Sequence, residues 1–195
     1  FADVLGRVRG AGLGPRLVHA ANSAATLLHP GAAFDMVRPG IAVYGLSPAP
    51  DVTADAHGLR QALRLVTEVS FAKQIPAGTP LSYGHTWEAP ADGWVATLPV
   101  GYADGVPRLV SNVVDVLHDG VRRPLVGRVT MDQCMVWCGD EEPRVGDEVV
   151  LLGAQGDAFV SVDEWAAAVG TISYEIACGI TGRVPRVEVD ADQQR

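Results

Sequence analysis

Val69-Ser70-Phe71-Ala72-Lys73-Gln74-Ile75 runs into Pro76-Ala77-Gly78, a β-rich run stopped by a turn. Strand parity puts Val69, Phe71, Lys73 and Ile75 on one face. The same grammar then repeats. From Leu63 to Leu152, short β-rich runs are punctuated at Gly84, Asp92-Gly93, Asp104-Gly105, Asp119-Gly120 and Gly146-Asp147. Turn signals this frequent predict an all-β sandwich or barrel. Lys73 is the only lysine in the chain. Its position predicts a stem lying along apolar surface with the amine in water, not an amine held for covalent chemistry.

Downstream of this region, Ser161-Val162-Asp163-Glu164 is a capping box opening a helix that Gly170 closes. A second short helix is expected over Thr171 to Ile180, ended by Gly182, and a last strand over Arg183 to Val189. Upstream, the pattern changes. Phe1, Val4, Leu5 and Val8 form a helical stripe already under way at the first residue, so the chain is expected to be a fragment of a longer one. Gly10 to Gly14 breaks it. Arg16-Leu17-Val18-His19-Ala20 is a strand candidate, Asn22 to Leu28 a helix, and Asp35-Met36-Val37-Arg38 a second strand entering Pro39-Gly40. Strand, polar turn, helix, strand is the pattern of barrel or doubly wound units, whose sites lie at strand carboxyl ends. A Pro-, Ala- and Asp-rich linker follows within Pro48 to Gly58.

The bulk composition narrows the function classes. With 48% hydrophobic and 19% charged residues the chain is a folded globular one. A net charge of −8 argues against a nucleic-acid partner, which wants clustered Lys and Arg. No stretch approaches the roughly 20 apolar residues of a membrane helix, so no membrane partner and a cytoplasmic location are expected. Cys134, Cys138 and Cys178 lack paired ligand spacing and read as reduced thiols, with no metal site.

Five motifs carry the chemistry: Ala20-Ala21-Asn22-Ser23-Ala24, Met36-Val37-Arg38-Pro39-Gly40-Ile41, Leu81-Ser82-Tyr83-Gly84-His85-Thr86-Trp87, Gly101-Tyr102-Ala103-Asp104-Gly105 and Met131-Asp132-Gln133. In this order they resemble the alanine racemase family, from about Leu17 to Arg186. The resemblance implies a mostly β, barrel-like C-terminal domain with short helices, preceded by the last strand–helix units of a (β/α)8 barrel. Residues 1–50 would be the barrel remnant, 51–62 a linker and 63–195 the β-domain. It also implies pyridoxal 5′-phosphate as cofactor, a small amino acid as substrate and a homodimer in which each β-domain completes the partner's site.

The resemblance assigns roles residue by residue. Ser23, the amides of Gly40 and Ile41, and the Tyr174 hydroxyl would grip the cofactor phosphate; without the family, Ser23 reads equally as a helix cap. Arg38 would face the pyridine nitrogen, and because a guanidinium only donates, that nitrogen would stay unprotonated. Tyr83 would be one of two bases, the other being a family lysine absent from this sequence. A phenol titrates near pH ~10 and needs neighbouring positive charge to serve as a base at neutrality. Tyr102 would narrow the entrance, and Met131 and Asp132 would line the substrate-carboxylate end. His85 has no assigned role and reads as a solvent-facing loop residue; Asp104 reads equally as turn chemistry. The implied activity is interconversion of L- and D-alanine, supplying D-alanine for peptidoglycan. Serine racemisation on the same fold, or a non-catalytic β-domain serving dimerisation or small-molecule binding, are the alternatives. Cut away from the rest of a barrel, residues 1–50 are expected to be poorly ordered alone, whereas the β-domain should stand by itself.

Overall fold

The computed structural model describes residues 1–189. The chain divides into two compact units, Phe1–Ala62 and Leu63–Arg195.

In the first unit, α1 (Ala2–Gly10) and α2 (Ser23–Leu28) alternate with short 3-10 turns at Pro30–Ala32, Ile41–Tyr44 and Asp55–His57. The helical stripe at the amino end is present as α1. The two expected strands are not: Arg16–Ala20 and Asp35–Arg38 meet in a single parallel bridge, His19 to Met36. The reason is visible at Val18. Its amide donates to the Asp35 carboxylate at 3.0 Å while Asp35 returns its own amide to the Val18 carbonyl. A side chain thus takes the place of a ladder acceptor, and Pro39 has no amide to extend the pairing. Residues 51–62 pack within this unit, where the Ala62 amide donates to the Tyr44 carbonyl and Val52 is buried.

The second unit holds β1 (Leu65–Glu68), β2 (Phe71–Ile75), β3 (Gly93–Leu98), β4 (Asp115–His118), β5 (Val121–Val126), β6 (Cys134–Gly139), β7 (Glu148–Gln155) and β8 (Ala158–Val160), then α3 (Val162–Val169) and α4 (Ser173–Gly179). The sheet order is β1-β7-β4-β5-β6-β3-β2, with β8 on β7 and antiparallel neighbours throughout. The two edges, β1 and β2, are consecutive in the chain. Between them Val69 donates to Asp147 on the β7 side and Ser70 donates to Thr97 on β3. One bent strand therefore closes the sheet on itself, which removes free edges as a barrel does. The expected mostly β, barrel-like domain is what forms.

Its core follows from alternation. On β6, Cys134, Val136 and Cys138 point inward, and on β7 the run Val149–Leu152 is buried without interruption, covered on both faces. Trp165 of α3 is fully buried and donates its indole N–H to the Asp115 carbonyl on β4. Ser161 caps α3 by accepting from the Glu164 amide, and Gly170 ends it in the left-handed region, as the sequence predicts. At Asp119-Gly120 both residues have positive φ, the mirror-image turn that joins β4 to β5. Two expectations fail at the carboxyl end. The second helix is shorter, Ser173–Gly179, and 183–189 forms no strand. Pro185 lacks an amide and Val187 and Val189 lie exposed, so this segment has neither the donors nor the burial that a strand requires.

Candidate active site

In the first unit, segments 19–23 and 36–42 converge. The Arg38 amide donates to the Ala21 carbonyl at 2.8 Å, continuing from the His19–Met36 bridge. Its side chain folds back over the same segment: Nη1 meets Nδ1 of His19, and Nη2 donates to the Ala20 carbonyl. A guanidinium can only donate, so His19 Nδ1 is the acceptor of this contact. Two bonds hold one side of an exposed fork and leave further N–H groups for a ligand.

Asn22, not Ser23, is the cap of α2: its Oδ1 accepts from the Ala25 amide at 3.0 Å. Ser23 is freed for another task. It is 3% exposed, and its Oγ accepts from the amides of Gly40 at 2.8 Å and Ala42 at 3.4 Å. A hydroxyl that accepts twice retains its hydrogen to donate. The Gly40 amide is thereby engaged by Ser23, while Ile41 opens a 3-10 turn, where an amide has no intrahelical acceptor. A Cβ at Gly40 would approach no protein atom closer than the Ser23 Oγ at 3.9 Å. The space above this backbone is open. A hydroxyl donor, an amide and a guanidinium along one bare backbone suit a phosphate-bearing ligand.

In the second unit, two of the motifs are joined backbone to backbone. Tyr102 donates its amide to Thr130 and Ala103 donates to Met131, each at 3.0 Å. Only glycine permits this approach, since a Cβ at Gly101 would run into the Thr130 and Met131 carbonyls. Asp104 performs the turn chemistry open to it: buried, it accepts from the Gly101 amide at 2.9 Å. Arg183 spans both motifs, 3.2 Å from Asp104 and 2.7 Å from Asp132. The Asp132 hydrogen bond, reinforced by the charges of both carboxylates, holds the Arg183 proton more firmly. Met131, Asp132 and Tyr102 all present exposed side chains.

Tyr83 lies in a 3-10 turn, Tyr83–His85, with 74% of its surface exposed. Ser82, Gly84 and His85 around it all have positive φ, which glycine adopts freely but which strains the backbone at Ser82 and His85. Ser82 donates its hydroxyl to the Arg128 carbonyl at 2.7 Å, and Arg128 Nε donates to the Tyr83 carbonyl at 3.2 Å. His85 is exposed, as expected. Tyr174 is half-buried near the start of α4, in the second unit, whereas Ser23, Arg38, Gly40 and Ile41 belong to the first. Lys73 is exposed on β2, opposite Val95.

Sequence reasoning missed His19, Arg128 and Arg183. His19 stands beside the first motif and a strand-end position could have flagged it. Arg128 and Arg183 reach partners 45 and 51 residues away, a separation that no local pattern reveals.

In the first unit a hydroxyl, an amide and a guanidinium are set for an anion, and in the second an exposed tyrosine stands on strained backbone. Residues 1–48 match the family model of the alanine racemase N-terminal domain, and residues 62–188 that of the C-terminal domain. The chain belongs to the alanine racemase family. It is 46% identical over 187 residues to the alanine racemase of Frankia casuarinae, covering 95% of this chain and 49% of that one. To the alanine racemase of Salinispora arenicola it is 50% identical over 187 residues, covering 95% and 50%. Among solved structures, the alanine racemase of a D-cycloserine-producing Streptomyces lavendulae superposes with a TM-score of 0.92 at 42% identity, over 97% of this chain and 50% of that one. The Bacillus anthracis alanine racemase with bound L-Ala-P gives 0.89 at 42% identity, over 98% and 49%. The chain spans about half the length of the curated relatives it matches. Among the described residues, no helix is long and apolar enough to cross a membrane.

Proposed function

We propose that this chain carries the end of the cofactor barrel (1–50), a linker (51–62) and the β-domain (63–195) of a cytoplasmic, homodimeric alanine racemase that uses pyridoxal 5′-phosphate. The single observation carrying the reading is the Ser23 cluster: a buried hydroxyl with a proton to give, beside an open glycine backbone and a clamped arginine. Ser23 and the Ile41 amide would hold the phosphate, with Gly40 held in place by Ser23 and Tyr174 contributing its hydroxyl. Pyridoxal phosphate, when bound, supplies the electron withdrawal that makes the substrate α-proton removable.

The rest is done by the protein's own groups. Arg38, fixed by His19 and the Ala20 carbonyl, presents only donors to the ring nitrogen, so no acid protonates it. Tyr83 exchanges a proton on one face of the substrate Cα through its phenol oxygen. A lysine outside this chain would serve the other face, since the only lysine here lies exposed on β2. Met131 and Asp132 line the carboxylate end, where Arg183 balances the Asp132 charge. Tyr102 narrows the approach. The product, D-alanine, is a building block of peptidoglycan.

The test is to purify the natural gene product, add pyridoxal phosphate and follow loss of optical rotation of L-alanine. Racemisation is expected, with Tyr83→Phe lowering kcat by on the order of 10²–10⁴. Cofactor binding without racemisation of alanine would redirect the reading to serine or another small amino acid. Neither binding nor racemisation would leave the non-catalytic β-domain.

A further inference from the structure

We propose that Asn112 is the positioning residue that holds the Tyr83 phenol in place, an inference that rests on the racemase reading for its catalytic consequence. Tyr83 is 74% exposed, so its position within its unit is set mainly by its backbone. That backbone is strained at Ser82 and His85 and must be held from outside.

The holding groups converge on Asn112, in the turn before β4. Its Oδ1 accepts from the Gly127 amide at 2.6 Å, and its Nδ2 donates to Thr86 Oγ1 at 3.1 Å. One amide group thus bridges the end of β5 to the far side of the Tyr83 turn. Asn112 itself sits at φ +66°, a conformation that asparagine tolerates better than most residues. Its neighbour Ser111 accepts from the Val129 amide at 2.9 Å, so two adjacent side chains pin the backbone on both sides of Arg128. Arg128 is the residue whose Nε and carbonyl grip Tyr83 and Ser82. The fit is tight: a Cβ at Gly127 would lie 3.0 Å from the Ser82 Cβ. Asn112 touches neither expected substrate nor cofactor residue, and acts through Thr86 and the 127–129 segment.

The experiment compares Asn112→Ala, Asn112→Gly and Thr86→Val with the wild-type holoenzyme. Glycine keeps the positive φ but loses the amide; valine at 86 keeps shape and the Gly127 bond but loses the Thr86 one. Each is expected to lower kcat at least tenfold with KM within twofold. The α-deuterium isotope effect should rise for one alanine enantiomer only, because one face's base is displaced. Backbone amides of 82–86 should exchange hydrogen faster while β3 and β6 stay as protected as before. Unchanged isotope effects and unchanged 82–86 exchange in folded Asn112→Gly would overturn the proposal, as would an equal rise for both enantiomers. Should Asn112→Ala fail to fold, Thr86→Val carries the same decision. A wild-type protein that does not racemise alanine sinks the activity reading, and the exchange measurement alone then decides whether Asn112 holds the turn.

Discussion

At the scale of single residues, the thiols make a direct test of the packing. Burial pushes Cys134 up to about 12, aided by the nearby Asp104 charge, and pushes Cys138 up to about 11, partly offset by Arg123. The thiolate is the nucleophile, so both should resist alkylation at pH 8, whereas exposed Cys178 should react. Peptide mapping after brief iodoacetamide treatment checks this; label on Cys134 in native protein would mean the β6 face is not sealed. Ser23 offers a second test. Replacing it by alanine leaves the Gly40 and Ala42 amides without their side-chain acceptor and removes its hydroxyl proton from the site. Ser23→Ala should therefore weaken pyridoxal phosphate binding, and a cofactor titration followed by absorbance reads it. Sequence alone showed Ser23, Arg38 and Tyr83 as candidates because short motifs carry them. It did not separate Asn22 as cap from Ser23 as acceptor, since adjacent polar residues at a helix start are locally equivalent. Their roles are set by Gly40, 17 residues on.

At the scale of elements, the carboxyl-terminal helix pair hangs on a few polar ties. Arg122 on β5 makes two bonds to Glu164 of α3, at 2.5 and 2.8 Å. The Arg122 hydrogen bond holds the Glu164 carboxyl below its ordinary 4.5, against the opposing pull of desolvation. A carboxyl depressed in the folded state favours folding above its unfolded pKa, and that contribution fades as pH falls through the folded value. Melting temperature should thus drop on acidification below about 4.5, and Arg122→Gln should flatten that part of the profile. An unaltered acid limb in the variant would show that the pair contributes nothing. Ser161→Ala removes the cap of α3 and should cost about 1 kcal/mol, read by denaturant titration. The capping box and the Asp119-Gly120 turn were legible because their chemistry is local. The strands expected at 16–20 and 35–38 do not form, because pairing depends on which acceptor each amide finds, and the Asp35 side chain takes the Val18 amide.

At the scale of the whole chain, the two units differ in how completely each satisfies itself. The second closes its sheet through the Val69–Ser70 bend, buries a continuous apolar run on β7 and seals Trp165 of α3 away from solvent. The first holds its segments by two isolated bridges and scattered turns, and leaves Phe1, Val4, Leu17, Val43 and Tyr44 exposed. Apolar burial is the main favourable term in folding, and closed hydrogen bonding removes the chief liability of a β-domain. A chain starting at Leu63 should therefore fold alone and melt in one cooperative transition by circular dichroism. In the 195-residue chain, brief proteolysis should cut first between residues 1 and 62 and leave the β-unit intact. A Leu63 fragment without a transition would mean that the closed sheet depends on the first unit. Early cleavage inside β3 to β7 would mean the same. The folded fragment should bind no pyridoxal phosphate, since Ser23, Arg38, Gly40 and Ile41 lie outside it. Binding there would move the candidate cofactor site to the β-unit, and the absorbance of the fragment with added cofactor distinguishes the two.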